Sequence, residues 1–107
     1  MADVQRFKFK HLNANSAVPV NVSSGPCVLG GVQINTKGAT ANTLTLQDNQ
    51  PKDATGNVGQ PAQVVVIGVI DTTNSVGWLQ YGVEILGQLQ AIMNTGTPAD
   101  ITVTFQE

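Results

Sequence analysis

The sequence predicts an all-β domain: an antiparallel β-sandwich, jelly-roll-like, with about eight short strands. Three observations predict it. Apolar and β-branched residues alternate with polar ones at period two, and the alternating runs are short and bounded by Gly, Pro, Asn and Asp. No strand–helix–strand alternation, fixed-period repeat or heptad competes with that signal. The 107 residues match the size of one domain, and no charged or low-complexity stretch divides them. Residues 1–107 are therefore read as one β-sandwich, with residues 1–5 as a flexible N-terminal arm.

In the first run Phe7 and Phe9 point one way, expected to be the core, while Arg6, Lys8 and Lys10 point the other. Val18, Val20 and Val22 share a face in the second, where Pro19 marks an edge strand or a bulge. Ser24-Gly25-Pro26 turns the chain. From Cys27 to Thr36 the Gly30-Gly31 pair signals a bend or bulge ahead of Val32 and Ile34. After a turn at Lys37-Gly38-Ala39, Thr43 to Asp48 alternates with Leu44 and Leu46 inward. Asn49 to Pro61 holds two prolines, two glycines and one large apolar residue, Val58, and is expected to be a long exposed loop. Val64 to Ile70 is the most apolar run and reads as a central strand covered on both sides. Asp71 to Asn74 ends it. Trp78 shares parity with Gln80, and Leu79, Tyr81, Val83 and Ile85 share the other. Ile85 to Met93 fits either a helical stripe or a strand after a Leu86-Gly87-Gln88 turn. Gly87 costs a helix about 1 kcal/mol relative to Ala, which favours two strands. Thr95 to Pro98 is a turn, and Ile101, Val103 and Phe105 form a last alternating strand.

Little in the chain suggests catalysis. His11 is the only histidine and Cys27 the only cysteine, so neither an intrachain disulfide nor a Cys-based metal cluster can form. His11, at a strand end, has no partner that the sequence identifies, and no Gly-x-Ser-x-Gly motif accompanies it. Asp48, Asp53, Asp71 and Asp100 fall beside turns, where Asp ordinarily caps backbone amides. Glu84 alone among the acids lies within a strand, where it faces solvent or another chain. Zinc ligands, EF-hand spacing and phosphate-binding glycine loops are all missing. The expectation is a protein that is not an enzyme and uses no cofactor or metal.

Charged residues make up 11% of the chain and the formal net charge is -2. Thr, Asn and Gln supply most of the polarity, which weakens self-repulsion and suits a surface that associates. The basic stripe Arg6, Lys8 and Lys10 lacks the interleaved exposed aromatics of a nucleic-acid site and reads as a protein-binding stripe. No apolar run is long enough for a membrane helix and the first ten residues lack a signal-peptide core. Neither nucleic acid nor membrane is an expected partner.

Gly31-Val32-Gln33-Ile34-Asn35-Thr36-Lys37-Gly38-Ala39, followed by Asn42 to Asn49, resembles small β-sandwich proteins encoded among bacteriophage structural genes. Ile70-Asp71-Thr72-Thr73, Leu79-Gln80-Tyr81-Gly82-Val83 and Gly96 to Val103 are similar to the later landmarks of that group. The resemblance implies a virion protein of the capsid cement or decoration type. Such a protein is made in the host bacterial cytoplasm and binds the outer surface of the major capsid protein shell as a homotrimer. Contact residues are expected at Arg6, Lys8 and Lys10, in the loop at Asn49, Lys52 and Asp53, and at Glu84. The alternative is a host-recognition module on tail or head that binds glycan through Trp78 or Tyr81, two residues otherwise expected in the core or at an interface.

Overall fold

Eight runs of alternating sequence become eight strands: β1 (Lys8–Leu12), β2 (Val20–Asn21), β3 (Cys27–Thr36), β4 (Thr43–Gln50), β5 (Gln63–Asp71), β6 (Gly77–Ile85), β7 (Gln88–Asn94) and β8 (Asp100–Gln106). The computed structural model describes residues 7–50, 63–74 and 76–107. Every ladder is antiparallel. Four of them nest, pairing β1 with β8, β2 with β7, β3 with β6 and β4 with β5, as if one long two-stranded ribbon had been rolled up. The β3–β8 and β4–β7 ladders then join the ribbon to itself. The result is two four-stranded sheets of order β1-β8-β3-β6 and β2-β7-β4-β5. That is the jelly-roll arrangement of a β-sandwich, as the sequence predicts.

The core lies between the sheets. Leu29, Val32, Leu44, Leu46, Ile85, Leu89, Ile101 and Val103 are fully enclosed, each contributing about 1.5–3 kcal/mol through burial. In β3 the buried positions change parity, from Cys27 and Leu29 to Val32 and Ile34. The Gly30-Gly31 bulge makes this possible: the register of β3 shifts between Leu29 and Gly31 against both neighbours, so one extra residue returns the apolar set to the inner face. A side chain at Gly31 would meet the Leu79 carbonyl and the Trp78 indole at 2.5 Å. The Leu86-Gly87 turn separates β6 from β7, settling the helix-or-strand alternative in favour of two strands. A Cβ at Gly87 would collide with the Asn49 carbonyl, so only glycine closes this turn.

Four expectations are corrected. Phe7 and Phe9 are not in the core: they are 53% and 70% exposed. Lys8 and Lys10 pair with Phe105 and Val103, and cross-strand partners share a face, so the lysines lie on the inner side and the phenylalanines on the outer. β1 is an edge strand with little of the short β2 opposite, and its inner side stays open. Val64 to Ile70 is likewise not a covered central strand. β5 closes one edge of its sheet, and Val64, Val66 and Val69 remain more than half exposed. Asn49 and Gln50 continue β4 rather than opening a loop, because Asn49 holds its register with Val64 and Gln88. Val18 precedes β2 and is exposed, leaving Val22 to reach the core. The anticipated arm, residues 1–5, and the remainder of the anticipated loop, residues 51–61, lie outside the described residues.

Buried polar groups lock the two ends of the sandwich. At one end Asn42 is fully buried. Its Nδ2 donates to Asn15 Oδ1 at 3.0 Å and to the carbonyls of Asn94 and Thr95 at 3.0 and 2.9 Å. Its Oδ1 accepts from Thr72 Oγ1 at 2.5 Å and from the Ala99 amide at 3.3 Å. One side chain thus joins the β1–β2, β3–β4, β5–β6 and β7–β8 connections. At the other end Asp48, 2% exposed, accepts from the amides of Leu86 and Gly87 at 3.0 Å each and from Gln50 Nε2 at 2.9 Å.

Candidate functional site

Among the described residues, His11, Asp48, Asp71 and Asp100 make contacts within the fold. His11 Nε2 lies 2.6 Å from Asp100 Oδ1, and since a carboxylate only accepts, the ring nitrogen donates. The sequence offers His11 no partner; the β1–β8 ladder supplies one. Asn35 Nδ2 also donates to Asp100, at 3.1 Å, and the Asn35 amide together with the His11 ring holds the Asp100 carboxyl below its ordinary range. Both ends of the His11–Asp100 pair are substantially exposed. Asp48 and Asp71 take the amide-capping role expected of them, Asp71 accepting from the Thr73 amide at 2.9 Å. Burial pushes the Cys27 thiol up, away from the thiolate that nucleophilic chemistry requires. Among the described residues no three His, Cys, Asp or Glu side chains gather to hold a metal ion.

The anticipated contact residues do not form one patch. Arg6, Lys52 and Asp53 lie outside the described residues. Lys8 is bound by Glu107 at 2.5 Å, and this lysine together with the Ser24 hydroxyl keeps the Glu107 carboxyl low. Lys10 is exposed on β1. Glu84 is exposed on β6, opposite Val28, and lines a shallow groove with Pro26, Gln106 and Glu107. Asn49 lines a neighbouring groove with Pro26 and Leu86. Lys8, Asn49 and Glu84 therefore gather towards the end of the sandwich that holds the β2–β3 and β6–β7 turns. Lys10 lies farther along β1.

A different surface stands out. One flank of the sandwich is edged by β1 and β2, and the other by β5 and β6. Strand edges carry unpaired amides and carbonyls that recruit other strands, and proteins commonly blunt them with lysine, proline or brevity. β1 carries Lys8, Lys10 and His11, while β2 is two residues long and follows Pro19. By contrast, β5 has neither charge nor proline from Gln63 to Ile70, and β6 has none from Gly77 to Val83. Val64, Val65, Val66 and Val69 of β5 and Val76 and Leu79 near β6 are exposed. Between the two edge strands a cleft of about 330 Å³ opens onto Ile34 and Ile70, with Val69, Val76, Leu79 and Tyr81 around it. Burial pushes the Tyr81 phenol up, consistent with its packing against the core.

This flank is not apparent in the sequence, because a run of valines reads as interior. The absence of any lysine or proline guard in Gln63 to Ile70 is the signal that could have found it. Beyond the edge, the outer face of the β2-β7-β4-β5 sheet carries a ladder of amides, Gln47 Nε2 donating to Gln90 Oε1 at 2.9 Å and Gln90 Nε2 to Asn21 Oδ1 at 2.8 Å. Fold and surface together define an eight-strand antiparallel jelly roll with one flank rich in exposed valine. Comparison of the chain with protein-family models, with curated proteins and with solved structures gave no match.

Proposed function

We propose that this chain is a structural protein of a bacteriophage particle, a capsid cement or decoration protein. It binds the outer surface of the major capsid protein shell as a homotrimer and stabilises it, after synthesis in the host bacterial cytoplasm. It performs no catalysis and needs no cofactor. The observation that carries the reading is the β5–β6 flank, where the stretches Gln63 to Ile70 and Gly77 to Val83 hold neither charge nor proline and border a valine-rich surface and an open cleft. Such a flank suits permanent burial against another protein chain. In the trimer each copy sets this flank against its neighbour, and the end bearing Lys8, Asn49 and Glu84 meets the shell. The resemblance across Gly31 to Val103 supports the same assignment.

The mechanism is clamping. Contacts that exist only in the assembled shell stabilise it by mass action. Three copies joined in one trimer engage the lattice together, so weak single contacts add to a tight attachment. The buried polar locks at both ends of the sandwich suit this task, because a clamp must hold its shape under load. To test the reading, purified protein is added to shells lacking it, and bound copies and shell heat resistance are measured. Saturable binding in multiples of three with raised heat resistance is expected. Failure to saturate, or binding without a change in heat resistance, would overturn the cement role.

A further inference from the structure

The outer face of the β1-β8-β3-β6 sheet presents a second surface, chemically unlike the valine flank. Phe9, Thr104, Gly31 and Gln80 stand in register across all four strands, and so do His11, Thr102, Gln33 and Trp78. Phe9, His11 and Trp78 stand with Gln80 on the edge strands of this face, and its middle is glycine, threonine and glutamine. Phe7 and Trp78 are each about half exposed, and between them lies a shallow cleft of about 350 Å³ lined by Phe7, Gly30, Trp78, Gln80 and Thr104.

The glycine bulge builds the floor. Phe7 Cε1 lies 3.7 Å from where a Gly30 Cβ would stand, and the Trp78 ring covers the place of a Gly31 Cβ. With side chains absent there, both rings settle beside bare backbone and frame a trough. Every lining residue is uncharged. Aromatic faces gain from contact with flat C–H surfaces, while the Gln80 amide and Thr104 hydroxyl both donate and accept hydrogen bonds. A neutral sugar ring has this combination, C–H faces with hydroxyls around the rim. The volume lies at the small end for ligand pockets, roughly 300–1,000 Å³.

We propose that this trough binds neutral glycan chains, with Trp78 and Phe7 as the stacking walls and Gln80 and Thr104 as the polar contacts. This activity is separate from shell binding. It would let a copy displayed on a particle hold cell-surface polysaccharide through many weak sites at once.

Trp78 is the only tryptophan of the chain, so its fluorescence reports directly on the trough. The protein is applied to a printed array of neutral and acidic bacterial glycans, and the strongest ligand is titrated while tryptophan emission is followed. Neutral glycans should bind and shift the emission. Trp78→Ala and Phe7→Ala should each weaken binding at least tenfold, with Trp78→Phe retaining part of it, while far-UV circular dichroism and thermal unfolding keep the wild-type form. Absence of binding to every neutral glycan, or binding unchanged in Trp78→Ala and Phe7→Ala, overturns the inference. If the same variants instead lose shell binding while no glycan binds the wild type, the face belongs to the capsid contact, and the glycan site fails while the cement role stands. Glycan binding without shell binding upholds the trough and removes the cement role.

Discussion

The two flanks of this sandwich are built from similar strands and treat their edges in opposite ways. On the β1–β2 flank, lysines, a histidine and a proline stand where another strand would have to pair. An ion pair between Lys8 and Glu107 and a hydrogen bond between His11 and Asp100 fasten β1 to the two ends of β8. Among the described residues of the β5–β6 flank none of these devices appears, and exposed valines line β5 instead. Within one fold, then, edge protection is a local choice of residues rather than a property of the topology.

The largest effect should come from breaking what holds both flanks in place together. Asn42 reaches Asn15 beside the β1–β2 flank and Thr72 beside the β5–β6 flank. Asn42→Ala strands several buried polar groups and should cost about 3 kcal/mol in denaturant unfolding, since each unpaired buried group costs about 1–3 kcal/mol. Amide exchange should quicken on both flanks, and acceleration confined to one would deny that the residue joins them.

Exchanging the edge chemistry gives the next effect. Val66→Lys gives β5 the guard that β1 has, and should weaken self-association at least tenfold, about 1.4 kcal/mol, in sedimentation equilibrium while leaving the monomer folded. The reverse exchange, Lys8→Thr with Lys10→Thr, should unguard β1 and produce concentration-dependent association absent from the wild type. An unchanged oligomer in both variants would show that the flanks do not differ in the way their residues suggest.

Acid should separate the flanks more gently. Asp100 and Glu107 are held low in the folded chain, by Asn35 and His11 and by Lys8 and Ser24 respectively. A carboxyl depressed by folding contributes stability above its unfolded value, and that contribution fades as pH falls through the folded value. Below about pH 4, where ordinary carboxyls protonate, β1 should loosen from β8, seen as lower protection factors, with the intrinsic pH dependence of exchange removed, for the amides of the β1–β8 ladder. Protection factors that stay constant from pH 6 to pH 3 would contradict this. The smallest change concerns neither flank. Ala41 adopts a left-handed φ of 62°, a conformation that costs a residue with a Cβ about 1 kcal/mol. Ala41→Gly should raise unfolding free energy by about 0.5 kcal/mol once glycine's added unfolded-state freedom is deducted, without altering association.

Much of the fold is legible in the sequence because period two and turn chemistry are local. The bulge at Gly30-Gly31, the break at Gly87 and the inward set Leu89, Ala91 and Met93 all follow from residues within a few positions of one another. Which strand lies at an edge is not local. Val64 to Val66 read as interior because a continuous apolar run is what a covered strand looks like, and only the sheet order shows that nothing in the described chain lies beyond it. For β1 the alternation is where the sequence puts it but the faces are inverted, since the lysines' inner side is only briefly covered by β2. The expected contact residues fare similarly: Lys8, Asn49 and Glu84 come from three distant segments, and only the rolled ribbon brings them to one end. Asn42, which organises the opposite end, carries no sequence signal beyond preceding a strand.

The pairing of β1 with β8 also fixes how the molecule meets mechanical force. Lys8 lies opposite Phe105, so the start of β1 and the end of β8 emerge side by side. Tension between those two points peels the ladder open one rung at a time instead of loading all its hydrogen bonds at once. The β1–β8 ladder therefore opens most readily when the chain is pulled by those two points.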